Sequence, residues 1–458
     1  MFEQYLNVID EKADVLSTLS DKLWDLAELS MQEYGSADAF AELLEAEGFT
    51  VTRGVAGLPT AFTASYGSGH PSIGILAEYD ALSGMSQQAF VAEPCPIPGK
   101  DTGHGCGHHL LGTGSLAAAL AVKAYIEDTG VGSVTLFGCP AEEAGGGKVY
   151  MSRDGVFKDV DASISWHPTS SSYAVRTRPS KATVAVLYKF KGVAAHAGAN
   201  PQAGRSALDA VELMNVGANF LREHMDPSHR LHYAILDTGG SAPNVVQDHA
   251  AVKYLIRGDS SAAVRALRAR VDKIAQGAAL MTETEVEMQV MGGCSNILFV
   301  PTLQTTADEA LHSLPVPVPT EEELAFAEKM RASMTLTPAQ QAAPPFLSEP
   351  APLKDRPASG GSTDASDVSW VCPLVQFAVA TWCRGTGGHT WQAVAQGKSS
   401  FAHKATRYAG KVMAKTAMLL MAKPELLEQA KKEHKEVIGD GYVCPIPLDM
   451  KPPIKPRA

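Results

Sequence analysis

Residues 103 to 109 read GHGCGHH, placing three histidines and a cysteine within seven positions. In an extended loop, side chains two apart point the same way, so Cys106 and His108 can face one ion while His109 points away. Thiolate and imidazole are both good ligands for zinc or another divalent transition metal. Alone, the cluster also reads as a thiol nucleophile beside a base, or as a polar turn around a small buried cysteine.

Three further stretches carry matching chemistry. PAEEAGGG supplies Glu142 and Glu143. Neighbouring acids on a loop tend to diverge, so one of them can bind metal while the other holds a water and serves as general base. SWHP supplies His167 and GTGGHTW supplies His389. Cys106, His108, Glu143, His167 and His389 then form a candidate ligand set, enough for two divalent ions sharing a bridging ligand. Zinc, manganese or cobalt would suit such donors.

Each residue has a plainer reading: a buried thiol, a solvated acidic loop, a turn histidine. His104 and His109 keep theirs, as supporting or surface residues. A cysteine hydrolase fits less well, because Cys106 and His108 are too close in sequence for a triad and the glutamates would be idle. GTGS at 112–115 lacks the third glycine of a dinucleotide fingerprint, and GGGK at 145–148 lacks the spacing of a phosphate loop. SGGSTDAS at 359–366 reads as a polar loop lining the site rather than a serine nucleophile.

The elements that must position these residues follow from periodicity. Helical patterning runs through residues 1 to 48, with short strands around TVTRGV and FTASYG. SIGILAEYDAL, SVTLFGCP and DASISWHP read as buried strands, with LLGTGSLAAALAVKAYIED and GKVYMSRDG as helices between them. This alternation predicts an α/β fold: a mostly parallel sheet flanked by helices. Ligands bind at the carboxyl ends of such strands. There lie Glu78 and Asp80, then Glu142 and Glu143, then His167.

From about residue 179 the pattern becomes alternating strands and two amphipathic helices, predicting an inserted α+β domain over 179–292. It would interrupt a catalytic domain made of 1–178 and 293–458. In the second part, residues 336 to 366 form a long loop, PLVQFAVATW a buried strand, and a long helix starts near Ser399. Two CPIP tetrapeptides, at 95–98 and 444–447, have no evident physical reason.

A net charge of −11 argues against nucleic acid or an anionic membrane as partner. The N-terminus lacks the basic start and apolar core of a signal peptide, and the run LAAALAV is too short to span a bilayer. Seven scattered cysteines suit a reducing compartment, so a cytoplasmic location is expected.

The motifs AEYDAL, GHGCGHHLLGTG, GCPAEEAGGGK, SWHP, GVAAHAGANPQAGRSALDA, GGSAPNVV and GTGGHTWQAV occur in the order seen in aminoacylase-like metallo-amidohydrolases. Over roughly residues 15 to 425 the chain resembles that family, and most closely its branch of p-aminobenzoyl-glutamate and indole-acetyl-amino-acid hydrolases. The resemblance implies a di-metal catalytic domain and a lid domain that forms a homodimer contact, with a heteromer containing a paralogous chain as the alternative assembly. It places the ligands on Cys106, His108, Glu143, His167 and His389 and the base on Glu142. Asp80 becomes the acid supporting the metal site, and His196 the lid histidine that stabilises the oxyanion, often in the partner's site. Asn244 and Arg257 match lid positions that contact the substrate's carboxylate or carbonyl.

The implied reaction is hydrolysis of an N-acyl or N-aroyl amino acid. An exopeptidase for unusual dipeptides and a non-catalytic partner of such a hydrolase are the alternatives. Two positions depart from the family pattern: Glu78 stands where peptidase branches carry a ligand histidine, and His109 where relatives commonly carry Asn or Asp. If the lid closes on substrate, Gly192 and Gly293 are the hinge candidates.

Overall fold

The computed structural model describes residues 2–347, 349–357 and 361–457. Four parallel strands form the centre of an eight-stranded sheet, in the spatial order Ser133–Gly138, Ser72–Ala77, Ala162–Thr169 and Leu374–Ala380. Antiparallel strands Phe62–Gly67 and Thr50–Arg53 extend one edge. The other edge carries Tyr173–Val175 and Ala351–Lys354. The expected α/β sheet is therefore present, parallel where the chemistry lies and antiparallel toward both margins.

Alternation along the strands feeds two cores. Ile73, Ile75 and Ala77 pack toward helices on one face, while Leu76 and Phe137 pack toward the other. Helix His108–Thr129 lies on the first face against helix Ser400–Ala422. Through Val122 it is buried on every side, and only its last turns, with Lys123 and Glu127, reach solvent. By length and composition it could cross a membrane, yet 89% of its most apolar window is buried within the fold. That identifies a core helix.

Residues 182 to 294 build a separate four-stranded antiparallel sheet, in the order Arg230–Asp237, His249–Gly258, Ala182–Lys191, Glu285–Cys294. Val184, Val186, Tyr188 and Phe190 face helices Ala207–Leu221 and Ser261–Thr282, as do Val252, Tyr254 and Ile256. Ser206 and Ser260 cap those helices through hydrogen bonds from Asp209 N and Ala263 N, each 3.1 Å. The strand Arg230–Asp237 was not evident from the sequence. As an edge strand it buries Leu231 alone and shows no apolar alternation.

Two other expectations need correction. The 336–366 stretch is not one loop: it holds helix Pro338–Ala342 and strand Ala351–Lys354, and helix Ala365–Val371 begins at its end. Gly192 does not sit at a domain crossing, since it follows the far end of strand Ala182–Lys191. Gly293 does lie at the return crossing, beside an irregularity in register between Val290 and Gly292.

Helix His108–Thr129 approaches the strand end so closely at Gly112 that a Cβ there would stand 2.6 Å from both the Glu78 carbonyl oxygen and the Phe40 ring. Gly112→Ala is expected to destabilise the protein by about 1–3 kcal/mol, because backbone must move. Urea unfolding reads this as a lower midpoint; an unchanged midpoint would contradict the packing.

Candidate metal centre

The four parallel strands deliver their polar residues to one end of the sheet. Glu78 and Asp80 follow the strand Ser72–Ala77, and Glu142 and Glu143 follow Ser133–Gly138. His167 lies within Ala162–Thr169, and His389 follows Leu374–Ala380. His108 opens its helix, so the expected extended loop around it is not found. Gly107 makes the turn possible, with φ of +79° and no room for a Cβ beside Trp382 and Pro168. Cys106 and His108 nonetheless converge, through the helix start rather than through strand alternation.

Three trios of ligand atoms form, each with all atoms within 4.8 Å of one another: Cys106, His108 and His167; Cys106, Glu143 and His389; His108, Glu142 and Glu143. Cys106 belongs to two of them. Its Sγ lies 3.5 Å from His167 Nε2, and His389 Nε2 lies 3.3 Å from Glu143 Oε1. His389 is held in the left-handed region at φ +57°, and its N–H donates to the Gly105 carbonyl at 2.8 Å. Such conformations cluster at functional sites.

Asp80 orients the cluster. One oxygen pairs with His108 Nδ1 at 2.8 Å, which turns Nε2 toward the other ligands. The second accepts from Ser30 Oγ at 2.8 Å and from the Glu143 N–H at 2.9 Å. Burial opposes its ionisation, yet the bond and charge of His108, with these two donors, hold the carboxyl down at about 2.

The donor set fits a metal. His108 Nε2 and Glu143 Oε1 are buried and make no well-aligned hydrogen bond among the described residues, their neighbours Glu78 and His389 standing 3.3 Å away, an arrangement a cation resolves. Burial raises the Cys106 thiol, but the imidazoles of His108 and His167 outweigh it and bring it down to about 6. Burial likewise opposes Glu143, whose carboxyl His389 and His108 hold below the usual range. Glu142 behaves oppositely: burial, then Glu78 and Asp364, push it well above the carboxylate range. Two adjacent acids with diverging proton affinities suit a ligand and a base.

Lys148 was not singled out by the sequence. It is fully buried, with Nζ 2.7 Å from Glu78 Oε1 and 2.6 Å from Asp364 Oδ1. Glu78 is thus engaged by Lys148 and lies 3.3 Å from His108 Nε2. The only sequence signal was GGGK itself. His104 and His109 are buried, not surface residues, and pair with the carbonyls of Leu23 and Gly397. Both are pushed below the usual imidazole range, chiefly by burial, so they stay neutral beside the cluster.

The lid residues lie apart from the trios. His196 is exposed, and its Nδ1 accepts the N–H groups of Gly198 and Ala199 at 3.2 and 3.1 Å, which leaves the ring proton on Nε2. The Asn244 carbonyl accepts from Ala197 N at 2.9 Å, so Asn244 and His196 are neighbours on exposed lid loops. Arg257 reaches Ser362 Oγ at 3.4 Å. Two cavities flank the cluster. One of about 310 Å³ is lined by His167, Tyr173, Val175, Arg178, Phe299 and Phe377 among others. Another of about 280 Å³ joins Glu142, Glu143 and Asp364 to Lys253 and Leu255 of the lid sheet. Ser362 and Thr363 line both; of the serine-rich stretch, Ser359 and Gly360 lie outside the described residues.

In the chelated protein, alkylation of Cys106 is expected to follow a midpoint near pH 6, with zinc protecting the thiol. Burial pushes Cys294 and Cys372 up to about 12, so those thiols lag. A midpoint at the ordinary thiol value of about 8.5, or no protection by zinc, would contradict this geometry. Cys106→Ala is expected to lose metal, read by elemental analysis after dialysis.

Comparison with known proteins agrees with this arrangement. The model of peptidase family M20/M25/M40 matches residues 74–440. The chain is 44% identical to one of the subunits of the p-aminobenzoyl-glutamate hydrolase of Escherichia coli, over 95% of its own length and 96% of that protein. It is 29% identical to the Xaa-Arg dipeptidase of Mus musculus, covering 93% and 90% of the two chains. In fold it is similar to a dinuclear metal binding peptidase of the M20 family from Bacillus subtilis, with a TM-score of 0.58, 18% identity, and 89% and 99% of the chains covered. Strand ends, ligand trios and sequence thus converge, and the chain belongs to peptidase family M20/M25/M40 as a metal-dependent hydrolase of amide bonds.

Proposed function

We propose that the protein hydrolyses the amide bond of N-aroyl or N-acyl amino acids, with p-aminobenzoyl-glutamate as the model substrate. The observation that carries the chemistry is the pair of ligand trios sharing Cys106, with Glu142 beside them. The substrate class rests on the 44% identity to the Escherichia coli hydrolase along nearly the whole chain. Cys106, His108, Glu143, His167 and His389 would hold two divalent ions, zinc or manganese. Bound there, the ions supply electrophilic polarisation of the scissile carbonyl and acidify water.

The chain's own residues do the rest. Glu142 takes the proton of the attacking water and returns it to the leaving nitrogen, a role its raised proton affinity favours. Asp80 keeps His108 in one tautomer and orientation. The Nε2–H of His196 donates to the oxyanion as it forms, a contribution of about 3–4 kcal/mol to the barrier for comparable donors. Because His196 is exposed on the lid, it would act in the site of a partner subunit.

A homodimer through the lid fits the surface. The edge strand Arg230–Asp237 exposes Tyr233, Ile235 and Leu236, and helix Ala207–Leu221 exposes Leu213, Val216 and Phe220. A paralogous chain is the other occupant of that surface, since the Escherichia coli relative is itself named as a subunit. A cytoplasmic location stays part of this proposal.

Glu142→Gln is expected to keep full metal content and lose turnover by at least about a hundredfold; residual activity near wild type would remove Glu142 as base. Mass spectrometry of the metal-loaded protein with aroyl amino acids and dipeptides, with and without chelator, tests the substrate class. Chelator-sensitive release of amino acid from aroyl conjugates is expected. Cleavage confined to dipeptides would transfer the reading to the exopeptidase class of the mouse relative.

A further inference from the structure

Resting on that reading, we infer that Glu33 is a positioning residue for the base: it holds the Ala141 amide in a left-handed turn and so aims Glu142 into the cleft. Glu33 is fully buried and stands outside the ligand trios. Its Oε1 accepts the Ala141 N–H at 2.8 Å, and its Oε2 meets the Thr60 hydroxyl at 3.1 Å.

Ala141 is where the loop after strand Ser133–Gly138 turns. It sits at φ +60°, a region that alanine avoids because its Cβ crowds the following carbonyl. Its own carbonyl accepts the N–H groups of Gly145 and Gly146 at 3.0 and 2.7 Å, which closes the loop on itself. The loop has no slack: a Cβ on Gly147 would stand 1.9 Å from the Pro140 carbonyl oxygen. Glu142 therefore lies between two amides that buried carboxyls hold, Ala141 by Glu33 and Glu143 by Asp80, the latter at 2.9 Å. These two anchors set the direction in which Glu142 leaves the chain, toward the cavity it lines with Glu143. Releasing Ala141 to an ordinary negative φ would swing that direction while the Glu143 anchor stays.

One short segment supplies the grip on both sides of the base. The Glu28 carbonyl accepts the Ala81 N–H at 2.8 Å, and Ser30 donates to Asp80 at 2.8 Å. Met31 packs against the glycine turn, where a Cβ on Gly145 would come within 2.6 Å of its Cε. Glu33 ends the segment at Ala141. Burial, then the neighbouring Asp80, push the Glu33 carboxyl up to about 8, so near pH 7 it carries a proton. What it supplies is shape and reach rather than charge. Glutamine matches both, whereas aspartate keeps the acid and falls one methylene short of Ala141.

The test compares kcat, KM and metal content for hydrolysis of p-aminobenzoyl-glutamate by metal-loaded wild type, Glu33→Gln and Glu33→Asp. Glu33→Asp is expected to lose kcat by about tenfold or more with KM and metal content held, because misplacing a catalytic group by about an ångström has that effect. Glu33→Gln should recover most of the loss. A higher kcat in Glu33→Asp than in Glu33→Gln would assign Glu33 a role by charge and overturn the inference. Equal kcat in the two, or a loss that tracks metal content, would overturn it as well. No turnover by wild type would count instead against the proposed substrate class, and hydrogen exchange over residues 140–147 then reads the contact without turnover. Faster exchange there in Glu33→Asp than in wild type and Glu33→Gln is expected, and equal exchange in all three overturns the inference. If Glu33→Asp does not fold, Thr60→Val loosens Glu33 from its other side; faster exchange confined to the loop is again expected, and unchanged exchange overturns the inference.

Discussion

The carboxylate of Asp80 ties together separate parts of the chain at the end of the parallel sheet. One oxygen fixes the His108 ring, and the other takes the Glu143 N–H and the Ser30 hydroxyl. Those contacts tie the first buried strand to the start of the central helix, to the loop after the neighbouring strand, and to the N-terminal helices. Two of these ties also carry a candidate ligand, so the geometry of the candidate metal centre and the docking of the elements are one constraint. An ionised acid in this setting is costly unless its lone pairs are used, and here the donors are in place.

Buried charge extends beyond that carboxylate. Lys148 bridges Glu78 and Asp364, and its own N–H also bonds Asp364 at 2.9 Å. Removing one member of such a group leaves the others uncompensated, so the network is retained as a unit. It joins the glutamate-bearing loop to the segment that approaches the lid, where Ser362 meets Arg257. The cleft is therefore walled by charges fixed on the catalytic side and by Lys253 of the lid sheet on the other, with Arg257 meeting Ser362 at its margin.

Much of this was legible in the sequence, because apolar strands that end abruptly in acids and histidines announce a site at the end of a parallel sheet. The five ligand-type residues were visible one by one, and the structure brings all five together with Glu142 and Asp80. Lys148 was not legible: a lysine after three glycines reads as solvated, and its partners lie 70 and 216 residues away in the chain. The strand Arg230–Asp237 escaped for a related reason, since an edge strand with a single buried residue has no periodic signal. His196 and Asn244 came only from resemblance to a family, because nothing in their local pattern sets them apart.

The central proposal is that Cys106, with His108, Glu143, His167 and His389, would hold two divalent ions at the strand ends. Anomalous diffraction from crystals grown with manganese or zinc, recorded across the metal edge, tests it directly. The account predicts two peaks flanking Cys106, one toward His108 and His167 and the other toward Glu143 and His389. A single peak remote from the thiol, or density only at the Asp226, His229 and Asp259 group on the lid, would contradict it.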